Sequence, residues 1–599
     1  MKEMLKKTKI VCTVGPDCEN VETLKKMLAA GMNVARFNFS HGDHEEKKHQ
    51  MDLVKEAVKQ SGIPCAYLLD TKGPEIRTGK LKDGKKIILE AGKEIILTVS
   101  DYENFEGTPE KLALSYKDLP KDINSVGITD KTFVYIADGV FKLKVLEVNG
   151  DEIKCRIEAG GELGQRKNVN VVGVHTNLPA MAEKDEADLK MGVENGIHFV
   201  AASFIRKASD VMEMRKYLAG IKGKNKEVGE YDGANVKIIS KIEDDEGLSN
   251  IDDIIRVSDG IMVARGDLGV QIPIQDIPLA QKKIIAKCNA AGKPVITATQ
   301  MLDSMINNPR PTRAESNDVA NAIFDGTDAV MLSGETANGK WPVEAVTTMA
   351  TIAKTIENAS EYRITTKKYI DIHPAKNTAE ATAKATYISA RDIGAEVIIA
   401  PTKSGNTARQ ISKFRPEQII FAPTTSERVA RQLMIVSGVY PEVVDVIDDT
   451  DALLDKSINL AIEKGYLDNF GKAVILAGVP NIMKIYTACK KQYRADKGFG
   501  DVVAGKIVKA ANADEAKKIA ADSILLTKRL DESFKKALGN AKAIILEEAS
   551  EFSFDVLKEE NPSLVAMVSG VANALSLFEN GEEVVVNGNE MSIYCGKVK

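Results

Sequence analysis

Residues 260–300 read GIMVARGDLGVQIPIQDIPLAQKKIIAKCNAAGKPVITATQ. Two short apolar runs, Gly260–Ala264 and Pro294–Thr299, flank a segment with helical periodicity, Ile277–Ala291. Strands with an almost continuous apolar sequence are typical of parallel sheets that are covered on both faces. The stretch therefore predicts a strand, a helix and a second strand that runs parallel to the first.

The same alternation recurs over most of the first 356 residues. Further apolar strands are predicted near Ile10–Val14, Asn33–Asn38, Cys65–Asp70, Ile197–Ser203, Val236–Lys241 and Asp328–Ser333. Helical patterns such as Val21–Ala30 separate most of these strands. Eight strand–helix units indicate an α/β fold with a closed (β/α)₈ barrel, the TIM barrel, formed by residues 1–70 and 172–356.

Residues 71–171 interrupt this alternation because their sequence is that of β-strands alone. The segment KIILEAGKEIILTV (residues 86–99) alternates apolar and polar side chains. The segment VFKLKVLEVNGDEIKCRIEAGG (residues 140–161) predicts a hairpin that turns at Asn149–Gly150. We expect an inserted all-β lid domain, which would lie at the mouth of the barrel.

Two more domains are predicted after the barrel. Residues 357–490 contain strands near Glu396–Ala400, Gln418–Ala422, Glu442–Val446 and Ala473–Ala477, a spacing that indicates an open, doubly wound α/β domain. The polar segment KKQYRADKGFGD (residues 490–501) is typical of a linker. Residues 491–599 predict an extra small α/β domain that ends in the hairpin EEVVVNGNEMSIYCG (residues 582–596).

Composition excludes several functional classes. The 599 residues are enough for roughly three to five domains. A net charge of -5 without a basic patch argues against a nucleic-acid partner. The seven cysteines are scattered and contain no CxxC pair, which predicts a reducing, cytoplasmic location. Neither a signal peptide nor a membrane span is expected.

Catalytic groups of TIM barrels lie at the carboxyl ends of the strands. The fifth strand ends in IISKIED, where Lys241 and Glu243 point to one side because they are two residues apart. The sixth ends in VARGDLG and supplies Asp267. Glu243 and Asp267 would bind Mg²⁺, and Lys241 would neutralise a transferring phosphoryl group. The alternative is a structural Lys–Glu ion pair at the barrel rim.

The next strand ends carry weaker signals. Gly266 would let backbone N–H groups approach an anionic substrate. Thr299 and Ser333 end the last two strands, but neither has an adjacent histidine, so a serine nucleophile is not supported. They would relay a proton through water, or satisfy the local backbone.

The second and third strands bring arginines and oxygen donors to the same mouth. Arg36 and Arg77 suit a phosphate. A set of oxygen donors with low total charge suits a monovalent cation, and it comprises Asn38, Ser40, Asp70 and Thr71. Three histidines, His41, His44 and His49, are better explained as polar residues at a helix start than as metal ligands.

Taken together, the strand-end motifs closely resemble the pyruvate kinase family. They occur in the family's order within residues 8–490. The matching segments are ARFNFSHG (35–42), LLDTKGPEIRT (68–78), KIISKIED (237–244), IMVARGDLG (261–269), ITATQMLDSM (296–305), NPRPTRAE (308–315) and DAVMLSGETA (328–337).

The resemblance implies phosphoryl transfer from phosphoenolpyruvate to ADP, which yields pyruvate and ATP in glycolysis. It implies Mg²⁺ or Mn²⁺ on Glu243 and Asp267, and K⁺ on the four oxygen donors named above. Glu75 matches members that depend on K⁺. Lys241 matches the phosphoryl-stabilising lysine, and Arg36, with Arg77 nearby, the phosphate-binding arginine. A cytoplasmic homotetramer is also implied.

Further roles follow from the same resemblance. Thr299 lies where the enol carbon is protonated, and Ser333 lies in the proton relay. Substrate-binding positions are Ala264, Arg265, Gly266, Asp267 and Thr299. Nucleotide-binding positions are Arg36, His41, Asp138, Arg166 and Lys167.

The C-terminal regions depart from the family pattern. The loop PTKSGNTARQISKFRP (residues 401–416) resembles the family's effector loop, although it also suits an ordinary loop entering a helix. Residues placed to bind an effector phosphate are Thr402, Lys403, Ser404, Gly405 and Thr407. However, Gly478–Pro480 runs directly into NIMKI without the usual Gly/Thr-rich stretch. That absence argues against activation by a sugar phosphate.

The extra domain resembles the phosphohistidine domain of phosphoenolpyruvate-utilising enzymes. In KAIILEEASEFSFD (residues 542–555), Phe554 stands where the working histidine belongs, and no histidine follows His373. A phosphohistidine carrier is therefore excluded here, and a structural or regulatory role remains.

Two other functions compete with the kinase. A carbon–carbon lyase of the related barrels shares the Glu–Asp metal pair, but needs neither lid lysines nor a K⁺ set. A non-enzymatic scaffold would tolerate loss of Lys241, Glu243 or Asp267, and all three are present. Dependence on ADP separates the kinase from the lyase, and any turnover excludes the scaffold.

Overall fold

The computed structural model describes residues 5–362, 375–446, 449–468, 470–477, 482–489 and 491–596. The chain forms two compact units. The larger contains residues 4–384 and 402–445, and the smaller contains residues 1–3, 385–401 and 446–599. The predicted division into four domains stays a prediction.

A closed barrel of eight parallel strands forms the core of the larger unit. The closing pair joins the first strand to the eighth, with Lys9 opposite Ala329 and Cys12 opposite Leu332. All eight predicted strands are confirmed. They are β1 Lys9–Thr13, β2 Val34–Asn38, β3 Ala66–Asp70, β4 Phe199–Ala202, β5 Lys237–Ile242, β6 Gly260–Ala264, β7 Val295–Ala298 and β8 Ala329–Leu332.

Helices cover the barrel, as the βαβ pattern requires. The predicted helices Val21–Ala30 and Ile277–Ala291 have these bounds in the structure. Apolar side chains from strands and helices form one continuous core, which explains the almost uninterrupted apolar strands. The other helices in this region are His44–Ser61, Glu183–Glu194, Ala208–Ala219, Asp245–Ser249, Ile251–Val257, Arg265–Gln271, Arg313–Phe324, Gly334–Ala337 and Pro342–Glu357.

The insertion after β3 has a core of its own and is built on a seven-stranded sheet. The predicted hairpin is confirmed: Phe141–Asn149 pairs antiparallel with Glu152–Ala159, and Gly150 adopts the positive φ of +59° that the turn requires. One helix, Leu119–Val126, was not predicted in this segment. The remaining strands of the sheet are Ile76–Arg77, Glu94–Thr98, Lys111–Ala113, Phe133–Ile136 and Asn168–Val172.

Residues 402–445 of the larger unit contribute a parallel pair of strands, Ile419–Thr424 and Val439–Val443. The second strand lies three residues before its predicted position. Helices Asn406–Ser412 and Glu427–Leu433 belong to the same segment. A buried ion pair links it to the barrel, because Arg415 Nη2 lies 2.9 Å from Asp328 Oδ2.

We expect Arg415→Met to destabilise the larger unit by about 3 kcal/mol, because a buried carboxylate then loses its charged partner. Two backbone N–H groups, from Val295 and Ser437, still reach Asp328 and limit the loss. Urea unfolding measures the change. The exposed pair of Arg256 with Asp253 provides a control, since Arg256→Met should change stability by about 0.5 kcal/mol or less. Equal effects of the two substitutions would contradict this prediction.

The smaller unit contains two sets of strands. In the first, Val397–Ile399 pairs parallel with Lys472–Ala477, which pairs antiparallel with Ile482–Thr487. The second is an eight-stranded sheet near the C-terminus. In spatial order its strands are Lys491–Arg494, Ser592–Cys595, Glu583–Asn587, Val502–Lys509, Ser523–Thr527, Ala543–Leu546, Ala566–Ser569 and Lys497–Gly500.

The last of the predicted hairpins is confirmed, with Glu583–Asn587 antiparallel to Ser592–Cys595. The predicted linker is wrong over residues 491–500, because Lys491–Arg494 and Lys497–Gly500 form the two edge strands of the sheet. Both are polar and largely exposed, as edge strands that avoid aggregation often are. Phe554 begins the helix Phe554–Glu560 and its ring stacks on Phe499.

The remaining helices after the barrel are Thr378–Asp392, Thr450–Glu463, Ala513–Ala516, Glu532–Lys535 and Ala574–Leu577. The first two are longer than the other three. None of the helices in the described ranges combines the length and apolar character that a membrane crossing requires. The prediction that the Gly/Thr-rich effector stretch is missing rests on residues Gly478–Pro480. These lie outside the described residues.

Candidate active site

Lys241 lies at the carboxyl end of β5 with its side chain 12% exposed. Its Nζ is 3.0 Å from Asp70 Oδ1, 3.0 Å from Glu243 Oε1 and 2.9 Å from Ser203 Oγ. Burial lowers the pKa of Lys241, but Asp70 and Glu243 outweigh burial and raise the pKa above its ordinary value. Lys241 is therefore a fixed positive charge at the barrel mouth.

Arg36 on β2 forms a second buried ion pair in the site. Its Nε lies 2.7 Å from Asp70 Oδ2, and its Nη1 donates to Thr13 Oγ1 at 2.8 Å. Burial alone would raise the pKa of Asp70, but Arg36 and Lys241 hold it below the usual range. Asp70 therefore stays ionised and fixes both cationic side chains.

Ser203, directly after β4, is a site residue that sequence reasoning missed. Its Oγ lies 2.9 Å from Lys241 Nζ and donates to the carbonyl of Thr71 at 2.6 Å. Its N–H donates to Thr71 Oγ1 at 3.1 Å. The available signal was its place at the end of the predicted strand Ile197–Ser203, where catalytic groups of barrels lie.

Glu243 and Asp267 form a pair of buried carboxylates beside Lys241. Glu243 is 1% exposed, and its Oε2 accepts the N–H of Phe204 at 2.6 Å. Burial raises the pKa of both carboxyl groups, and the negative charge of Asp267 raises that of Glu243 further. Two buried acidic oxygen ligands that influence each other in this way fit a divalent cation whose other ligands come from substrate and water.

No group of three or more histidine, cysteine, aspartate or glutamate side chains arranged for a metal occurs within the described ranges. The three histidines predicted near a helix start lie at or beside the start of one helix. His44 begins the helix His44–Ser61 and its Nε2 contacts Asp188 Oδ1 at 2.7 Å, while His41 and His49 are exposed.

The loop after β6 is tied to the end of β7. Helix Arg265–Gln271 begins directly after Ala264. Arg265 Nη2 donates to the carbonyl of Thr299 at 2.7 Å, and the N–H of Gly266 donates to Thr299 Oγ1 at 2.9 Å. Arg265 therefore fixes the β6 loop to the end of β7. Its Nη1 also forms an ion pair with Asp318 at 2.7 Å.

Strained backbone marks the same place. Thr299 has a φ of +69° and the next residue, Gln300, has a φ of +52°. A β-branched residue rarely adopts a positive φ, and such strain clusters at functional sites. In this conformation Thr299 Oγ1 accepts the N–H of Gly266, which fixes Thr299 to the β6 loop.

Ser333 is positioned by Glu335, a second residue that sequence reasoning missed. Glu335 is 1% exposed, and its two carboxylate oxygens accept the N–H groups of Ser333 at 2.7 Å and of Leu302 at 3.0 Å. Burial raises the pKa of Glu335. Its place two residues after Ser333, within SGET, was the only sequence signal.

Four oxygen-bearing residues predicted to hold K⁺ come from β2, β3 and the residues that follow. Asn38 and Asp70 are register partners on adjacent strands. The side-chain oxygen of Asn38 accepts the N–H of Ser40 at 3.0 Å, and Thr71 is fully buried beside Ala201. The structure brings these residues to one side of the mouth.

The lid residues lie around Glu75. Its Oε2 accepts hydrogen bonds from Arg77 Nε at 2.8 Å and Nη2 at 2.6 Å. Arg77 Nη1 also donates to the carbonyl of Arg166 at 3.1 Å, and the N–H of Lys167 donates to Thr78 Oγ1. Asp138 is exposed and pairs with Asn168. Arg77, Arg166 and Lys167 are thus brought together, and Asp138 is linked to them through Asn168, the register partner of Arg77.

An open cleft of about 700 Å³ lies between the lid and the barrel. Glu75 and Asn168 line it from the lid, and Phe204, Arg206 and Asp267 line it from the barrel. Asp267 and the lid therefore face a common space.

The predicted effector loop is held by its own hydrogen bonds. Gly405 has a φ of +78°, and its N–H donates to Thr402 Oγ1 at 3.0 Å. The carbonyl of Ser404 accepts from Arg409 Nη1 at 3.2 Å. Lys403 and Ser404 are exposed, and Thr407 lies in the following helix. The geometry suits an ordinary loop as well as an effector site.

Comparison with known proteins agrees with the geometry. The chain matches the family described as "Pyruvate kinase, barrel domain" over residues 5–346 and that described as "Pyruvate kinase, alpha/beta domain" over residues 380–487. It is 44% identical to a pyruvate kinase of Geobacillus stearothermophilus, and 99% of each chain is covered. A pyruvate kinase of Staphylococcus epidermidis is 43% identical over the same share of both chains.

A solved structure gives the same result. The chain is similar to the crystal structure of a pyruvate kinase from Cryptosporidium parvum, with a TM-score of 0.76 and 42% sequence identity. The match covers 81% of this chain and 97% of that chain. The chain therefore belongs to the pyruvate kinase family and is a glycolytic enzyme with pyruvate kinase activity that uses metal ions.

Proposed function

We propose that the barrel mouth transfers the phosphoryl group of phosphoenolpyruvate to ADP through Lys241, Arg36 and the carboxylates beside them. The observation that carries this assignment is the ion pairing of Lys241 with both Asp70 and Glu243. It fixes a positive charge next to two buried acidic ligands. Phosphoryl transfer needs little else from a protein than positioning and charge stabilisation.

Each residue has a defined task in this proposal. Lys241 stabilises charge on the transferring phosphoryl group, and Arg36, with Arg77 nearby, binds its oxygens. The substrate carboxylate binds at the loop from Ala264 to Asp267. Loss of the phosphoryl group leaves enolpyruvate, whose C3 takes a proton on the side of Thr299, with Ser333 in the relay.

Glu243 and Asp267 would hold Mg²⁺ or Mn²⁺, which would neutralise phosphate charge and hold the substrate in line. Asn38, Ser40, Asp70 and Thr71 would hold K⁺. Asp138, Arg166 and Lys167 of the lid, together with Arg36 and His41 of the barrel, would bind the nucleotide. Closure of the lid over the cleft would exclude water and limit hydrolysis.

The decisive assay is pyruvate formation from phosphoenolpyruvate and ADP with Mg²⁺, with and without K⁺. We expect Glu75→Lys to abolish stimulation by K⁺, because the new ammonium supplies a positive charge near the proposed K⁺ ligands. We expect K⁺ to raise pyruvate formation by the wild-type enzyme about tenfold or more, because it would stabilise charge as strongly as one good electrostatic contact does.

Glu75→Gln is the matched control, because it removes the carboxylate that pairs with Arg77 without adding a positive charge. It should keep its stimulation by K⁺ even where turnover falls. K⁺ stimulation of Glu75→Lys equal to that of wild type would refute the assignment of Glu75. The absence of pyruvate under every cation condition would refute the proposed site and favour the lyase or scaffold.

Three further assignments rest on the family resemblance. We propose a homotetramer in the cytoplasm, and the seven free cysteines support a reducing compartment. Binding of an effector phosphate at Thr402, Lys403, Ser404, Gly405 and Thr407 stays a prediction. The extra C-terminal sheet has no catalytic histidine, which leaves a structural or regulatory role for it.

A further inference from the structure

A second cavity lies at the amino ends of β5, β6 and β7, opposite the barrel mouth. Both of its walls belong to the larger unit. One wall is formed by residues just before or at the start of these strands, and the other by the segment 402–445. Polar residues that line it are Lys237, Asp259, Lys293, Asn406, Arg409, Gln410 and Gln432.

The only acidic side chain lining this cavity, Asp259, already has cationic partners. Its carboxylate lies 2.9 Å from Arg215 Nη2 and 3.2 Å from Lys237 Nζ, and it accepts the N–H of Ile238 at 3.0 Å. Arg215 and Lys237 therefore already balance the negative charge of Asp259.

Lys293 and Arg409 leave an excess of positive charge. Lys293 Nζ donates to the carbonyl of Ser258 at 2.5 Å, and Arg409 Nη1 donates to the carbonyl of Ser404 at 3.2 Å. Within the described residues neither forms an ion pair with a carboxylate. Burial lowers the pKa of both groups, and the nearby negative charge of Asp259 offsets this only in part.

We propose that this cavity binds a small organic phosphate, a phosphomonoester, between Arg409 and Lys293. The guanidinium fork of an arginine matches phosphate oxygens, and a lysine adds a point charge. The amide side chains of Asn406 and Gln432, with the apolar wall from Phe199 and Val436, would hold the organic part.

The cavity is lined by residues other than those predicted for the active site and for effector binding. The active-site candidates Lys241, Asp267 and Thr299 lie at the opposite ends of, or just beyond, the strands β5, β6 and β7. Asn406 and Arg409 belong to the segment 401–416, but the residues predicted to bind an effector phosphate in that segment are Thr402, Lys403, Ser404, Gly405 and Thr407. Because Arg409 contacts the carbonyl of Ser404, a ligand on Arg409 would act on this loop from the cavity.

The proposal is tested by calorimetric titration of the full-length protein with glycerol 3-phosphate and AMP, a small and a large phosphomonoester. At least one is expected to bind wild type, and Arg409→Gln and Lys293→Gln should each weaken that binding about tenfold or more, because each removes a charge-assisted contact. Glycerol and adenosine, which lack the phosphate, should bind far more weakly than their phosphates.

Lys403→Gln, which removes an exposed cation from the predicted effector loop, separates that loop from the cavity. Lys216→Gln is the matched control, because Lys216 is exposed on the helix Ala208–Ala219 and does not line the cavity. Both should leave binding within about twofold of wild type, a change below 0.5 kcal/mol. Binding lost in Lys403→Gln but kept in Arg409→Gln would assign the anion to the loop and overturn the proposal. The proposal would also be overturned if neither phosphate bound at concentrations up to about 10 mM. Equal binding by all variants would overturn it as well, because it would indicate that the phosphates bind at the active site. Circular dichroism and Arg409→Lys, which keeps the charge, distinguish lost binding from misfolding.

Discussion

Replacement of Lys241 by Met is expected to lower kcat by about 10³-fold while the protein stays folded. Removal of one donor that stabilises transition-state charge typically costs this much. Because the proposed contact strengthens as the phosphoryl group transfers, the loss should appear in kcat more than in KM for phosphoenolpyruvate. Steady-state assays at saturating Mg²⁺ and K⁺ measure both constants.

The substitution also removes a partner of Asp70 and Glu243, so stability needs its own measurement. Arg36 still pairs with Asp70 and the N–H of Phe204 still reaches Glu243, which limits the damage to the fold. Lys216→Met is the control, because Lys216 is exposed on a helix outside the barrel. A Lys241→Met enzyme that is less stable than wild type but retains its kcat would show that Lys241 is a structural bridge, the alternative suggested by the sequence.

The barrel and its acidic site could be predicted because two simple periodicities encode them. Lys241 and Glu243 are two residues apart at a strand end, so the pleat itself turns both toward the mouth. Asp267 joins them because β5 and β6 are neighbours in the barrel. Neither inference needs knowledge of distant contacts.

The supporting contacts could not be predicted in the same way. Phe204, which has a φ of +53°, donates its N–H to Glu243. No local sequence pattern predicts this backbone conformation. Ser203 acts through contacts to Thr71 and Lys241 that are distant in sequence. Glu335 reaches back to Ser333 within one turn, and only the buried geometry distinguishes it from an exposed glutamate.

The misinterpreted segments have physical explanations. Lys491–Arg494 and Lys497–Gly500 are edge strands whose side chains are largely exposed, so they lack the apolar alternation that marks a strand. Helix Leu119–Val126 carries Pro120 in its first turn, a position that proline favours. That proline, followed by apolar Ile123 and Val126 at helical spacing, was a usable signal within a segment that otherwise consists of strands.

Replacement of Asp267 by Asn is expected to weaken binding of Mn²⁺ by about tenfold or more and to lower kcat/KM at fixed metal by about 10²-fold. The amide keeps the size of the side chain but removes one of the two charges that face the cation. Titration of free Mn²⁺ by electron paramagnetic resonance reports binding without reference to activity.

The same variant should not lose stability when metal is absent. Burial raises the pKa of Glu243 and the negative charge of Asp267 raises it further, so removal of that charge should relieve repulsion. The melting temperature of the metal-free variant should therefore equal or exceed that of wild type. Added Mn²⁺ should then stabilise wild type but barely affect the variant. Asp276→Asn, at an exposed position beyond the same loop, should retain both the affinity and the metal-induced shift. If the Asp267→Asn protein binds Mn²⁺ as tightly as wild type, Asp267 is not a metal ligand. Loss of a carboxylate ligand must weaken the binding of a hard cation.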